Sequence, residues 1–507
     1  MLRNILSNWF GLVVLGVISV ILTPAMIHGL GNMYYGMWAL VGSLVDYSGL
    51  LDMGMRATLF RYVAYFRGAN QRAGLNQTFA TGVTIALCAM FLCALGFIGL
   101  AVALPPFFKF AGTDKVVFSK VILLMGASVS LALPTQFLSA YLRGLERFDL
   151  YNLGVMVHAI VRATLLLALL KLGFGIIPVA MGVLASEVFV LMLYWVLVKR
   201  ADPGLKVSLD HLTWKQTREM CNFGFYSFVT NSGETLRYST DSFVIGRMLT
   251  VALVTPFNVA TRLTEYFKAL IGGVSGPIMV RLSSLTGKNQ EDELREEFLR
   301  STRFSMLLSI LVGGVMILDG KTLIRIWMGP EYLVSYPILV VLTVAYIVTW
   351  GQIACQLLIF ARARHHKSIS WWTLGEGLAN LCLSMLWAPR FGLLGVAMGT
   401  AVPLVASKLL VQPWYVLKDL RMTVWTYFKD GLLRSLVVGG IFLGGSWILT
   451  RSAPAPVSFS GLAKACAWQT GAFAAMAYLF GLAEVDKLTV RAQGRRVAMS
   501  LGLLRSS

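Results

Sequence analysis

Apolar positions fill this chain in runs of about twenty, parted by short breaks rich in charge, proline and glycine. A helix rises about 1.5 Å per residue, so one such run matches the roughly 30 Å hydrocarbon layer of a bilayer. The pattern predicts spans over residues 10–30, 33–51, 78–104, 118–140, 150–171, 177–198, 223–245, 252–276, 304–324, 334–360, 369–388, 395–417, 431–450 and 462–483. Inside lipid the backbone must satisfy its own hydrogen bonds, and runs of this length do so as helices. The expected fold class is all-α, a polytopic membrane protein of 14 transmembrane helices with both termini on one side.

Composition agrees: 57% of the 507 residues are hydrophobic, 13% are charged, and the mean hydropathy is +0.71. A net charge of +20 in a soluble chain would point to nucleic acid. Here most bases lie in the breaks, so they read as topology signals and no nucleic-acid partner is expected. Loops on the side of the N-terminus hold 28 of the 44 Lys and Arg and the opposite loops hold 9, which puts both ends in the cytoplasm. The first run has the length of a full span and no short apolar core with a small-residue cleavage site, so it is read as a retained helix. The six cysteines are scattered without CxxC spacing, and His365-His366 sits in a basic loop without partner ligands. Neither pattern predicts a disulfide framework or a metal site. No HExxH, P-loop or nucleophile-elbow pattern occurs, so no enzymatic activity and no cofactor is expected.

An internal repeat organises the spans. FGIIPVAMG at 174–182 recurs as FGLLGVAMG at 391–399, an offset of 217, each before the last span of a six-helix unit. Gln136-Phe137-Leu138 and Gln356-Leu357-Leu358 echo it at nearly the same offset. The expected organisation is a pair of pseudo-symmetric six-helix lobes, 1–200 and 223–420, with a cytoplasmic linker at 201–222. Two extra helices and a basic tail follow at 421–507. Secondary transporters are commonly built from such repeats, with the substrate between the halves.

Charges within the spans carry the candidate chemistry. The acids are Asp46, Glu187, Glu234, Asp241, Glu265 and Glu376; the bases are Arg162, Arg237, Arg262, Lys268, Lys408, Arg434 and Lys464. Each costs about 2.5–3.5 kcal/mol at mid-bilayer, so they are expected to face a bundle interior or a wet cavity. Arg434 and Lys464 lie near span ends, where long side chains reach the headgroups. Glu234, Arg237, Tyr238 and Asp241 stand at i, i+3, i+4 and i+7, on one face of a helix. The next span carries Arg262, Glu265 and Lys268, and the second span carries Asp46. The functional expectation is a polar cavity at the start of the second lobe. Its bases attract phosphate or pyrophosphate, its carboxylates take a coupling H+ or Na+, and Tyr238 and Tyr266 stack on sugar rings. The structural alternative is that Arg237–Asp241 and Arg262–Glu265 only hold helices together. His158 and Arg162 share a face of the fifth span, where a lone histidine reads as packing.

Four motifs in order, LGNMYYGMW (Leu30 to Trp38), LLDMGM followed by Arg56 and Arg61, RGLERF (Arg143 to Phe148) and IWMGPEY (Ile326 to Tyr332), make the chain resemble a known family. It is similar to the lipid-linked oligosaccharide flippases, or polysaccharide transporters, of the multidrug/oligosaccharidyl-lipid/polysaccharide exporter superfamily. The resemblance implies a protein of the cytoplasmic (inner) membrane that moves a polyprenyl-pyrophosphate-linked oligosaccharide to the outer leaflet for cell-surface polysaccharide synthesis. It implies ion-coupled alternating access, membrane lipids as surroundings, and polymerase and glycosyltransferase partners. By helix position it points to Arg237, Arg262 and Lys268 as headgroup contacts. Glu234, Asp241, Glu265 and Asp46 become the groups that couple to an ion or orient the arginines. A drug or cation antiporter and a lipid II flippase of the same superfamily stay open as alternatives. A membrane glycosyltransferase, polymerase or ligase fits less well, because the outer loops are short.

Overall fold

The structure is a computed structural model. It describes residues 2–49, 59, 62, 63, 66, 67, 69–110, 112–205, 232, 233, 235, 236, 239–362, 366–452, 456–482 and 487, with backbone alone for 2–15, 274, 366–370 and 450–452. Among these residues every regular element is helical. The principal helices are α1 (Leu2–Ser48), α2 (Arg72–Ala103), α3 (Gly112–Gly144), α4 (Phe148–Lys171), α5 (Ile176–Ala201), α6 (Asp241–Met248), α7 (Val254–Gly287) and α8 (Glu291–Trp327). They are followed by α9 (Ser335–Gly351), α10 (Ile353–Arg362), α11 (His366–Phe391), α12 (Leu393–Ala406), α13 (Gln412–Leu420), α14 (Arg434–Ser452) and α15 (Phe459–Met476).

Among the described residues 10 helices are long and apolar enough to cross a membrane, so the chain is a multi-pass membrane protein. Their outer faces carry what lipid requires: Phe91, Leu92 and Val102 on α2 are 62%, 60% and 76% exposed. The helices also refine the pattern of apolar runs. α1 spans both of the first two runs and is interrupted at Gly31 (φ 77°, ψ 165°), a conformation that only glycine adopts readily and that falls in the predicted break. The run expected at 334–360 is two helices, α9 and α10, parted at Gln352. The polar stretch after Gly287 leads directly into a span, since α8 starts at Glu291 and runs on to Trp327.

The described helices group into two compact units, residues 1–255 with 370–396 and residues 256–369 with 397–507. Unit one has a core in which Phe79 meets Phe137 and Tyr141 edge-on, with ring centroids 5.2 and 4.9 Å apart. Such aromatic pairs add about 0.5–1.5 kcal/mol each beyond area burial. Gly82 makes this approach possible, because a Cβ there would stand 2.1 Å from a ring carbon of Phe137. Unit two is centred on Phe298 stacked on Tyr427 at 5.7 Å and Phe442 edge-on to Phe473 at 4.9 Å.

Polar ties close one end of each unit. In unit one the buried Asp202, just after α5, accepts from Arg72 at the start of α2 and from the Tyr141 hydroxyl of α3 at 2.9 Å. In unit two Asp419, near the end of α13, accepts from Arg362 Nη1 of α10 at 2.7 Å, and Arg362 also holds Glu291 at the start of α8. A further tie fastens α15 to α8: Gln469 Nε2 donates to the buried Asp319 at 2.8 Å, with Cys466 Sγ 3.9 Å from the same oxygen. Asp319 lies inside the predicted span 304–324 and adds an intramembrane acid to the six named from the sequence.

Candidate functional site

Unit one holds an open cavity of about 500 Å³ between α1, α3, α4 and α5. Each helix contributes one stripe. On α4, Tyr151, Val155, His158, Ala159, Arg162 and Ala163 recur at three- and four-residue intervals, so a single face lines the space. On α3 the stripe is Ala132, Gln136, Ser139 and Arg143, running past Pro134 inside the helix. Pro134 has no N–H to return to the preceding turn, which opens the α3 backbone beside the cavity.

Glu187 of α5 is the electrostatic centre. It is 6% exposed, His158 Nε2 lies 3.3 Å from its Oε1, and Arg162 Nη1 lies 3.8 Å from the same oxygen. A buried carboxylate is tolerated when nearby charge compensates it, and the Arg162 guanidinium stands on the same face of α4 as His158, one helical turn on. Arg143 adds a second guanidinium, with Cζ 5.0 Å from the centroid of the Tyr151 ring. Its Nε is buried and has no hydrogen-bond partner among the described residues. Tyr194 OH donates to the Tyr151 carbonyl at 3.1 Å and fixes α5 against α4. The lining thus holds two guanidinium groups and an imidazole against one carboxylate, an arrangement suited to an anionic group.

Of the residues expected to line the site, Asp46, Asp241, Arg262, Glu265 and Lys268 are described and do not line this cavity. Glu234, Arg237 and Tyr238 lie outside the described residues. Asp46 and Asp241 both belong to unit one and are joined through one short segment. Ser239 Oγ donates to Asp46 Oδ2 at 2.9 Å, and Tyr47 OH is 2.9 Å from Thr240 Oγ1 beside the buried Asp241. Arg262, Glu265 and Lys268 stand on α7 in unit two. Arg262 Nη1 donates to Glu265 Oε2 at 2.8 Å, with both side chains about half exposed. Lys268 Nζ lies 5.5 Å from the Tyr346 ring centroid, at cation–π distance. The Arg262–Glu265 pair named in the structural alternative is present, but within α7 alone rather than between helices, and its energetic weight at such exposure is small.

Two features of the cavity escaped the apolar pattern. His158 reads alone as packing, yet it faces Glu187 from the adjacent helix. Arg143 falls beyond the predicted span 118–140, but α3 continues to Gly144 and carries it into the cavity. The signal was present as the polar stripe Gln136, Ser139, Arg143 at helical spacing.

The fold is shared with solved membrane transporters. The chain aligns with lipid II flippase MurJ in an inward closed conformation at a TM-score of 0.71 and 14% identity, covering 94% of this chain and 99% of that one. With an inward-facing multidrug resistance MATE transporter the TM-score is 0.68 at 16% identity, over 80% and 96%. The chain belongs to the polysaccharide biosynthesis protein family, whose model matches residues 72–337. It is 20% identical over 424 residues to "Putative O-antigen transporter" of Shigella flexneri, 82% of this chain and 97% of that protein. It is 20% identical over 405 residues to "Probable flippase AglR" of Haloferax volcanii, 78% and 79%.

Proposed function

We propose that this protein is a transporter without enzymatic activity that flips a polyprenyl-pyrophosphate-linked oligosaccharide across the cytoplasmic membrane for cell-surface polysaccharide synthesis. The observation that carries the reading is the charge set of the unit-one cavity. The guanidinium groups of Arg143 and Arg162 outnumber the single carboxylate Glu187, with the His158 imidazole beside them. A diphosphate headgroup carries the complementary charge, and guanidinium groups bind phosphate oxygens through paired N–H donors. Membership of a polysaccharide biosynthesis family and relatives with flippase and O-antigen transporter names support the same cargo.

In this reading the headgroup crosses through protein while the prenyl tail stays in lipid, and the two units alternate access to the faces. Coupling to H+ or Na+ is assigned to the intramembrane carboxylates, with Glu187 added to Asp46, Glu234, Asp241 and Glu265. A cation exporter on the same fold would want an acid left open to its cargo, and Glu187 has the Arg162 guanidinium at 3.8 Å and the His158 imidazole at 3.3 Å. The test is complementation of a strain that lacks its own flippase. Arg143→Ala and Arg162→Ala, at normal membrane abundance, are expected to lower surface polysaccharide at least about tenfold, the loss of one charge-assisted contact. Full polysaccharide from both variants would overturn the assignment.

A further inference from the structure

A second, smaller cavity of about 240 Å³ lies in unit one where four helices end. α2 begins there at Arg72, α3 ends at Gly144, α4 begins at Phe148 and α5 ends at Ala201. Its charged lining is Arg67, Arg72, Arg147 and Asp202, with Asn70 on the rim. The sequence singled out RGLERF, and the structure shows the place of that motif: Arg143 lines the intramembrane cavity and Arg147, one turn on, lines this one.

Three guanidinium groups face one carboxylate, and that carboxylate is already engaged, since Arg72 takes one oxygen of Asp202 and Tyr141 OH the other. Arg147 directs Nε and Nη2 to Asp149 at 3.0 Å each, which leaves Nη1 for another acceptor. Arg67 is the least engaged: among the described residues its contact is Glu146 at 3.9 Å, with both side chains exposed. Two helix N-termini, of 32 and 24 residues, open at the same place, and their N-cap residues Gln71 and Arg147 supply no side-chain acceptor. Asn70 (φ 55°) and Glu146 (φ 54°) hold left-handed turns ahead of the two starts. Guanidinium groups and helix N-termini together select an anion with several oxygens. The cavity sits where apolar spans stop, which is the depth of lipid phosphates.

We propose that this pocket binds the phosphate-bearing headgroup of a lipid, at the end of unit one that the basic loops mark as cytoplasmic. If the lipid is the prenyl diphosphate carrier, the pocket is a landing site from which the α3–α4 turn hands the headgroup toward the cavity. That extension rests on the flippase reading; the phosphate chemistry does not.

Site-resolved arginine labelling tests it. Protein in phosphatidylcholine nanodiscs is treated with phenylglyoxal, and modification at each arginine is read by peptide mass spectrometry. The proposal expects farnesyl diphosphate to slow labelling of Arg67 and Arg147, both about two-fifths exposed without ligand. Arg67→Gln, which removes no side-chain hydrogen bond among the described residues, is expected to raise the concentration needed to protect Arg147 about tenfold. A parallel arm replaces part of the phosphatidylcholine with phosphatidylglycerol. Protection there without protection by farnesyl diphosphate keeps the phosphate site and assigns it to bilayer lipid. Labelling of Arg67 and Arg147 unchanged in both arms overturns the proposal. Protection at Arg143 and Arg162, read in the same spectra, reports on the flippase reading separately.

Discussion

His158 Nε2 lies 3.3 Å from Glu187 Oε1, so a histidine of α4 and a glutamate of α5 share one buried charge site with Arg162. Removing the acid takes its carboxylate away from both the Arg162 guanidinium and the His158 imidazole. Glu187→Gln is expected to lower stability in detergent by about 1–3 kcal/mol, and adding His158→Gln is expected to recover part of that loss. A double-mutant cycle on thermal unfolding measures the coupling. Additive effects would mean that the two side chains act independently.

The tie at Asp202 separates a buried contact from an exposed one. Tyr141 is fully buried and donates to Asp202, whereas the Arg72 side chain is 61% exposed. Asp202→Ala is therefore expected to destabilise by about 1–3 kcal/mol by stranding the Tyr141 hydroxyl, and Arg72→Ala by less than about 1 kcal/mol. Denaturation of the two variants side by side checks the order, and an equal loss would contradict it.

Asp319 and Gln469 make an analogous prediction for the C-terminal helices. Gln469→Leu removes the 2.8 Å donor from a buried carboxylate and is expected to loosen α15 from α8. Cys466, beside the same carboxylate, is the reporter: its rate of maleimide labelling should rise several-fold. An unchanged rate would show that α15 is held by its apolar contacts alone.

Close packing at Gly82 gives a steric prediction. A Cβ at 2.1 Å from the Phe137 ring forces that ring to move, so Gly82→Ala is expected to destabilise by about 1–3 kcal/mol. Phe137→Leu in the same chain is expected to relieve part of it, measured again by thermal unfolding.

Much of the fold is legible from apolar run length, because a bilayer leaves few ways to satisfy a buried backbone. Even the break at Gly31 is visible as a polar interruption between two runs. Asp202 and Asp419, each of which accepts from an arginine of its own unit, stand 217 residues apart, the offset of the FGIIPVAMG motif. The site was harder to read, for a physical reason. A charge inside a span announces that it needs company but does not say which helix supplies it. Pairing along one helix is readable, and Arg262–Glu265 is such a pair. Pairing between helices, as for His158 with Glu187 or Asp319 with Gln469, depends on rotation and packing that the single-helix pattern does not contain. Arg143 escaped because helices outrun their apolar runs by a turn, and that turn carries the base into the cavity.

The most direct measurement reconstitutes the purified protein in liposomes and follows a fluorescent polyprenyl-pyrophosphate oligosaccharide from one leaflet to the other, with a cationic dye as control cargo. The wild type is expected to move the lipid and not the dye, and Arg143→Ala with Arg162→Ala is expected to abolish that movement at unchanged reconstitution. Dye movement without lipid movement, or full lipid movement by the double variant, would contradict the account.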